Sequence, residues 1–563
     1  MKTQLDYVME HEAHRGGELW LTQPMGRAPG GDGVGGQGSV VKTLTFSQAI
    51  DQARRMAAHL KSLGMPVGSR VAIFSKNTAW WLLSDLAIWM AGHVSVPIYP
   101  TLTASSIKAI LEHSESKVIF VGKLDGYDAM APGLVEGVQR IAMPLAPSNV
   151  ENAKKWDDLI AQTPPLQGTI TRNPKDLATI VYTSGSTGEP KGVMHSFETM
   201  CAAFRFVDLA GMVPVDRLLS YLPLAHVAER AVLETTNFKV GYQVFFAESL
   251  DTFVQDLQRA KPTLFGTVPR LWLKFQAGVH GKMPEKKLNR LLKIPLLNRI
   301  IKKKVLAGLG LESVRWSVTG SAPTPPDLIR WYAELGLKIG EVYGMTENFA
   351  VSHAAQPGNN VGTVGLPLEG VECKLADTGE VLVKSPGTML GYYKAQHLTD
   401  EMLDKEGFLH TGDRGAHDEL GRLRITGRVK ELFKTSKGKY VAPAPIESQL
   451  LARAELEQAC VTGADMGQPF ALVVLAEHLR KNALAGAQKE EVSRLLKLHL
   501  EQLNAKLDPH EQLEKLIVMR EEWTVDNGLL TPTLKLKRSA IEARYLPKVT
   551  EWFSSKDAVL WVS

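Results

Sequence analysis

Cysteine is nearly missing: Cys201, Cys373 and Cys460 are the only three in 563 residues, odd in number and far apart. That excludes a disulfide framework and a cysteine-rich zinc cluster, and a reducing cytoplasm is the simplest compartment. An apolar core of signal-peptide length is also missing from Met1–Glu10, so no secretory leader is expected in this stretch. No apolar run is long enough to cross ~30 Å of bilayer. The nearest, Ala79–Gly92, is short and carries Asp85, so it reads as a buried helix. A net charge of +5 on this length is too small to argue for nucleic acid. With 44% hydrophobic and 22% charged residues, the composition is that of a globular chain with substantial cores. The length calls for more than one folding unit.

What is present begins with alternation. Helical spacing over 46–63, 78–91 and 105–114 alternates with short apolar runs at 70–74, 94–99 and 117–121. This predicts α/β layers with mostly parallel sheets. The glycine-rich stretch 26–38 has no strand feeding it and reads as a connector. After about residue 360 the segments 371–375 and 380–384 read as hairpin strands. A boundary at 427–430 divides the chain into a large multi-lobed unit (1–428) and a small α+β unit (429–563). The latter has a strand at 471–475 and helices near 492–507 and 539–551. No internal repeat occurs.

The most informative stretch is Tyr182-Thr-Ser-Gly-Ser-Thr-Gly-Glu-Pro-Lys-Gly192, which follows the apolar strand 177–182. Its hydroxyls and glycines can offer donors to a polyphosphate while Lys191 offsets the charge. It is not a Walker loop, because no Gly-Lys-Ser/Thr stands at the required spacing. In this order the run closely resembles the phosphate loop of the adenylate-forming superfamily, which contains acyl-CoA synthetases, luciferases and peptide-synthetase adenylation domains. Further motifs follow in the family's order: Leu222–Arg230 around His226, Gly320-Ser-Ala-Pro323 after the strand-like 314–319, Glu341–Asn348, His410–Gly415, Gly421–Arg428, Glu431–Glu447 and Leu530–Arg538. The resemblance runs from about Thr43 to Arg544. Gly266–Trp272, Glu341–Asn348, Lys439–Pro443 and Leu530–Arg538 look like the long-chain fatty acid–CoA ligase branch.

The resemblance implies ATP, Mg²⁺ and coenzyme A as cofactor and co-substrates, and a fatty acid as substrate. It implies an adenylating domain followed by a small mobile domain, with Lys430 at the hinge. It assigns the nucleotide phosphates to Thr183, Ser184, Gly185, Ser186, Thr187, Gly188 and Lys191, and the adenine wall to Ser321 and Ala322. Glu341, Tyr343, Gly344 and Thr346 also fall to the nucleotide, Tyr343 stacking on the base and Thr346 meeting the α-phosphate. Glu347 becomes the metal ligand, Asp413 the ribose acceptor and Arg428 a second ribose or phosphate contact. His226 gates the carboxylate site. Ser436, Lys437 and Gly438 lie beside the pantetheine path, although many members have Gly-Gly where this chain has Lys437-Gly438. Lys535 takes the catalytic-lysine position, together with Thr187 and Glu347 as catalytic groups, in a Thr-Leu-Lys context where the usual member reads Ser-Gly-Lys; Lys537 is the rival. The resemblance implies a long- or medium-chain acyl-CoA synthetase; a fatty-acyl-AMP ligase, another stand-alone adenylating enzyme, and a catalytically silent acyl-lipid binder are the alternatives. Against the silent reading, Lys191, Glu347 and Lys535 are all present.

One segment is explained by no motif. Lys282–Lys304 carries nine cations against Glu285 alone, a net +8 that exceeds the charge of the whole chain. Leu288, Leu291, Leu292, Leu296, Leu297, Ile300 and Ile301 interleave with the cations at helical spacing. Either this is a peripheral contact with an anionic membrane, at the inner face of the cell, or its leucines simply join the core beneath a solvated surface.

Overall fold

The computed structural model describes residues 1–27, 39–184, 190–358, 361–453, 455–481, 486–531 and 535–562. Its centre is an eight-stranded sheet in the order Gly391–Tyr392, Pro190–Ser196, Leu177–Ser184, Val94–Ile98, Arg70–Phe74, Val118–Val121, Gln139–Ala142, Ala153–Lys155. The strands from Leu177–Ser184 to Ala153–Lys155 run parallel, and two antiparallel strands close one edge. Val94–Ile98 and Val118–Val121 are buried along their whole length, as parallel strands covered on both faces must be. The covering helix Ala79–Met90 is buried at every position, which is why it is apolar all round. Thr78 caps it, accepting the Trp81 N–H at 3.2 Å. Asp85 within it pairs with Arg230 at 2.6 Å, both fully buried. Among the described residues no helix is long and apolar enough to cross a membrane.

A five-stranded sheet runs parallel through Leu264–Thr267, Trp316–Thr319 and Ile339–Tyr343, then antiparallel through His353–Ala354 and Leu366–Pro367. A four-stranded antiparallel sheet follows, ordered Glu372–Leu375, Glu380–Lys384, Leu409–His417, Leu423–Arg428. The hairpin reading at 371–384 is met by the first two of these strands.

The premise that no strand feeds 26–38 needs correction. Leu19–Arg27 is a strand leading into it, and Ser39–Thr45 returns antiparallel, with Pro24 opposite Val41. Pro24 and Gly26 break the alternation by which a strand is usually recognised, and tertiary pairing overrides them. Residues 28–38 lie outside the described residues.

Beyond Arg428 come the short turn Val429–Glu431 and a two-stranded ribbon, Phe433–Lys434 with Tyr440–Val441. A four-stranded sheet follows, ordered Leu456–Thr462, Phe470–Leu475, Leu516–Met519, Val559–Trp561. Alternate residues of its strands feed two separate cores, one with Val461 and Val473, the other with Cys460 and Leu472. Its longer helices are Pro443–Leu450, Ala487–Asn504 and Arg538–Tyr545. The helix expected over 539–551 is split, because Pro547 cannot continue it and Leu546–Lys548 becomes a 3₁₀ turn before Val549–Ser554.

Candidate active site

Most of the functional motifs face one cleft of about 3210 Å³ between the large and small units, nearly all from strand ends and turns, with Asp413 inside the strand Leu409–His417. Thr183 and Lys191 face each other across an antiparallel pair of strands, at the two ends of the phosphate-loop sequence. Gly185, Ser186, Thr187 and Gly188 lie outside the described residues, as does the side chain of Ser184. Lys191 Nζ stands 5.7 Å from the centroid of the Tyr392 ring.

The turn after Ile339–Tyr343 is held from several sides. Met345 N–H donates to Asn348 Oδ1 at 2.9 Å, and His195 Nε2–H donates to the Thr346 carbonyl at 2.8 Å. Burial pushes His195 down to about 4, so it is a neutral donor. Phe349 and Ala350 take left-handed φ of 50° and 60°, and Ser321, in the facing loop, takes 68°. Such strain in non-glycine residues persists where the surroundings over-determine it, commonly at ligand clamps. A Cβ on Gly344 would meet the Ala350 carbonyl oxygen at 2.5 Å, and one on Gly320 would meet Val342 Cγ2 at 2.7 Å. Both positions therefore require glycine.

Glu347 is 9% exposed, and Tyr392 Oη donates to its Oε1 at 2.8 Å. A lone anchored carboxylate does not make an all-protein metal cage. Among the described residues no cluster of three or more His, Cys, Asp and Glu could hold a metal. It does fit Mg²⁺, which dehydrates reluctantly and commonly binds through one or two carboxylates plus substrate phosphates.

Across the cleft Asp413 accepts from Tyr343 Oη at 2.7 Å and pairs with Arg428 Nε at 2.9 Å. Glu341 is buried, accepts the Gly362 N–H at 3.1 Å, and is pushed by desolvation up to about 7. His226 caps its own turn, with Nδ1 accepting the Ala228 N–H at 3.1 Å, which leaves the ring proton on Nε2. Burial, and then the charge of Lys535, lower it to about 4. Beside it Glu229 accepts Ser220 Oγ at 3.0 Å and the Tyr221 N–H at 3.1 Å, and desolvation raises it to about 8. This wall of the cleft is thus a neutral histidine and, below about pH 8, a protonated glutamic acid.

Lys535 reaches into this cleft from the small unit. Water still touches it, but crowding by protein, and next Arg428, hold its ammonium pKa below the ordinary value, while Asp413, Glu347 and Glu431 oppose that fall. Its backbone is pinned by Thr531 N–H to the Lys535 carbonyl at 2.7 Å and by Lys535 N–H to Thr531 Oγ1 at 3.1 Å. Arg538 ties the loop down further: its Nη2 meets Glu447 at 2.8 Å and Glu431 at 3.8 Å, and its Nη1 donates to the Val461 carbonyl at 2.7 Å.

Ser321, Ala322, Glu341, Tyr343, Gly344, Thr346, Glu347, Asp413, Arg428, Lys430 and Lys535 line the same cleft as Thr183, Lys191 and His226. Ser436, Lys437 and Gly438 do not. Ser436 N–H donates to the Met466 carbonyl at 2.9 Å, and Lys437 Nζ reaches Gln468 Oε1 at 3.4 Å, both within the small unit. Sequence reading missed Tyr392, His195, Glu229 and Arg538. Glu229 and Arg538 stood inside quoted motifs as a buried acid and a cation, whereas Tyr392 and His195 carried no signal of their own.

Comparison with known proteins gives the family and the fold. The profile described as AMP-binding enzyme matches residues 37–393, and that described as AMP-binding enzyme C-terminal domain matches 431–557. The chain is 30% identical to fatty acyl-CoA synthetase A of Dictyostelium discoideum, over 90% of this chain and 85% of that one. It is 31% identical to long-chain-fatty-acid–CoA ligase FadD15 of Mycobacterium tuberculosis, over 89% of this chain and 91% of that one. The fold matches the adenylation domain of a carboxylic acid reductase from Segniliparus rugosus, with TM-score 0.80 at 20% identity over 98% of this chain and 94% of that one. It also matches the anthranilate CoA ligase AuaEII, with TM-score 0.76 at 20% identity over 96% and 97%.

Proposed function

The chain belongs to the AMP-binding enzyme family, and on that footing we propose that it activates a long-chain fatty acid with ATP and transfers the acyl group to coenzyme A in the cytoplasm. The observation that carries this reading is the meeting, in one cleft, of Lys535 from the small unit with Asp413, Arg428 and Glu347 from the large one. The fatty-acyl ligase names of the two relatives support the substrate class.

In the first half-reaction a carboxylate oxygen attacks the α-phosphorus, the bond from that phosphorus to the bridging oxygen of pyrophosphate breaks, and acyl-adenylate forms. Several anions gather at one point, so catalysis is mostly positioning and charge stabilisation. Thr183 to Lys191 hold the β- and γ-phosphates. Asp413 and Arg428 take the ribose, and Tyr343 stacks on adenine within the walls of Ser321, Ala322 and Gly344. Thr346 meets the α-phosphate, and Lys535 offsets charge there and on the carboxylate. Mg²⁺ on Glu347 would neutralise phosphate charge. Neutral His226 and Glu229 keep a second anion away from the incoming carboxylate. In the second half-reaction the thiolate, its proton lost to solvent, attacks the acyl carbon, and the bond to AMP breaks.

The second step requires Lys535 to leave and the pantetheine path along Ser436–Gly438 to approach. A unit comprising 429–563, turning about Lys430, would accomplish both. That Ser436–Gly438 face their own unit while Lys535 faces the cleft supports an alternation between two arrangements. The test is pyrophosphate and AMP release across saturated acids from short to very long, with and without coenzyme A. Thiol-dependent AMP release with an optimum at long acids is expected. AMP release indifferent to coenzyme A would overturn the ligase reading, and an optimum at short acids would overturn the long-chain assignment.

A further inference from the structure

The basic segment Lys282–Lys304 is divided by the fold into two kinds of apolar residue. The helices Glu285–Leu292 and Leu297–Leu309 turn Leu288 and Leu309 into the core, with Leu292, Ile301, Val305 and Leu306 packed behind them against the cluster that holds Trp272 and Trp331. Those leucines need no further explanation. Ile294, Leu296 and Ile300 are different: they are 47%, 79% and 62% exposed, gathered at the turn joining the helices. Asn298 closes that turn, its Nδ2–H donating to the Leu292 carbonyl at 2.8 Å. Leu296 sits at φ 68° and ψ −51°, with the Leu297 N–H donating to the Pro295 carbonyl at 2.9 Å, a γ-turn in which glycine would be at ease and leucine is strained. A leucine both strained and exposed, at the tip of a helix pair, gains nothing from the fold itself.

Around this knob stand the cations. Lys282, Lys286, Lys287, Arg290, Lys293, Arg299, Lys303 and Lys304 are exposed and Lys302 is half-buried. Among the described residues none of the nine forms an ion pair; the salt bridges present elsewhere involve none of them. The same stretch adjoins the cleft, whose wall includes His280, Gly281 and Glu285.

We propose that Ile294, Leu296 and Ile300, ringed by these cations, form a peripheral docking tip for an anionic lipid bilayer. The charge matches the headgroups and the apolar knob matches the acyl boundary beneath them. A nucleic acid would use the cations but offer nothing to three exposed aliphatic side chains, so the lipid surface accounts for both halves of the patch. Docking there would set the cleft beside the phase in which long-chain acids concentrate. The inference does not rest on the proposed reaction: the surface would bind bilayers whatever acid the cleft activates.

The test uses the full chain and sedimentation with vesicles of phosphatidylglycerol and phosphatidylcholine, against vesicles of phosphatidylcholine alone. Binding to the anionic vesicles alone is expected at low salt, with loss as salt approaches ~1 M and the screening length falls to ~3 Å. Replacing Lys302, Lys303 and Lys304 by glutamine should weaken partitioning by roughly a hundredfold. Leu296→Gly with Ile300→Ser should weaken it by roughly tenfold or more while leaving the melting temperature unchanged or raised, since glycine tolerates the positive φ at this turn. Pyrophosphate release with a short, water-soluble acid should be unchanged in both variants. Equal binding to the two vesicle types would overturn the proposal. So would a Leu296→Gly/Ile300→Ser variant that still binds anionic vesicles fully, or binding to duplex DNA tighter than to vesicles.

Discussion

Arg538 stands three residues beyond the catalytic-lysine candidate and never reaches the cleft's centre, yet its replacement by methionine should disable the first half-reaction. The guanidinium is 12% exposed and the facing Glu447 carboxylate 10%, at 2.8 Å. Glu447 also accepts the Val461 N–H at 2.7 Å, and Arg538 returns a bond to the Val461 carbonyl at the same distance. Removing the cation strands a nearly buried acid, which typically costs ~3–5 kcal/mol. At roughly 3 °C per kcal/mol for a unit of this size, the small unit should melt on the order of 10 °C lower. The start of the helix Arg538–Tyr545 is then free to drift, and a displacement of ~1 Å at the lysine costs roughly a hundredfold in rate. Pyrophosphate release, measured well below the melting point, should fall by that factor, while thioester formation from supplied acyl-adenylate stays near normal. Adding Glu447→Gln removes the stranded charge, so the melting temperature should largely recover while pyrophosphate release stays slow. A methionine variant that melts within about 2 °C of the parent and releases pyrophosphate at the parent rate would refute the argument. Equal recovery of stability and rate in the double variant would reduce Arg538 to a structural tie.

Four further outcomes are expected. Lys535→Ala should slow adenylation roughly a hundred- to a thousandfold, as loss of one preorganised charge donor does, while sparing the thiol step; greater damage from Lys537→Ala would put the catalytic position two residues later. Tyr392→Phe removes a hydrogen bond to an ionised acid, worth ~1.5–3 kcal/mol, and should raise the Mg²⁺ requirement of pyrophosphate release by roughly tenfold, with little change in the affinity for fatty acid. Glu341 titrates at about 7 in the fold, above the ordinary ~4.3. The folded state therefore holds this proton more tightly, and stability falls as pH rises from the ordinary value through the folded one. Glu341→Gln should be neutral near pH ~4 and stabilising by up to ~3 kcal/mol above pH ~7, visible as a melting-temperature gap that opens across that window. Lys430→Pro should slow the thiol step more than adenylation, because proline fixes φ near −65°; equal losses in both steps would remove the hinge from Lys430.

The cleft was legible in sequence because its polar groups are carried on short loops next to apolar strands. A loop at a strand end keeps its residues adjacent in both sequence and space, so 182–192, 341–348 and 530–538 announce themselves. Contacts between such loops leave no such trace. Tyr343 and Asp413 are 70 residues apart and Tyr392 and Glu347 are 45 apart. Their hydrogen bonds exist only because segments belonging to different sheets meet at the same cleft. The Asp85–Arg230 pair is a partial exception: an acid inside an all-apolar helix predicts burial and a partner, although not which one. The strand Leu19–Arg27 was illegible for the opposite reason. Its local signals, Pro24 and Gly26, point away from a strand, and only pairing with Ser39–Thr45 and Gln243–Phe246 makes it one.

The contrast between contacts inside the small unit and contacts across the cleft bears on how a single lysine could be both delivered and withdrawn. Inside, Arg538, Glu447 and the Val461 backbone form a buried lock on the lysine loop, and Glu431 of the short turn after Arg428 lies 3.8 Å from the same guanidinium. Across the cleft the polar contacts are slight. Ser448 Oγ donates to the Pro323 carbonyl at 3.0 Å, Arg270 pairs with Glu457, and Lys506 stands 3.8 Å from Asp327 with both side chains about two-thirds exposed or more. Exposed pairs of this kind contribute ~0–1 kcal/mol each and less in salt. Parting the two units along this surface therefore costs far less than loosening Lys535 within its own. The lysine loop, the lock and the hinge turn would then travel together as one rigid piece, so that withdrawing Lys535 and presenting Ser436–Gly438 become a single movement.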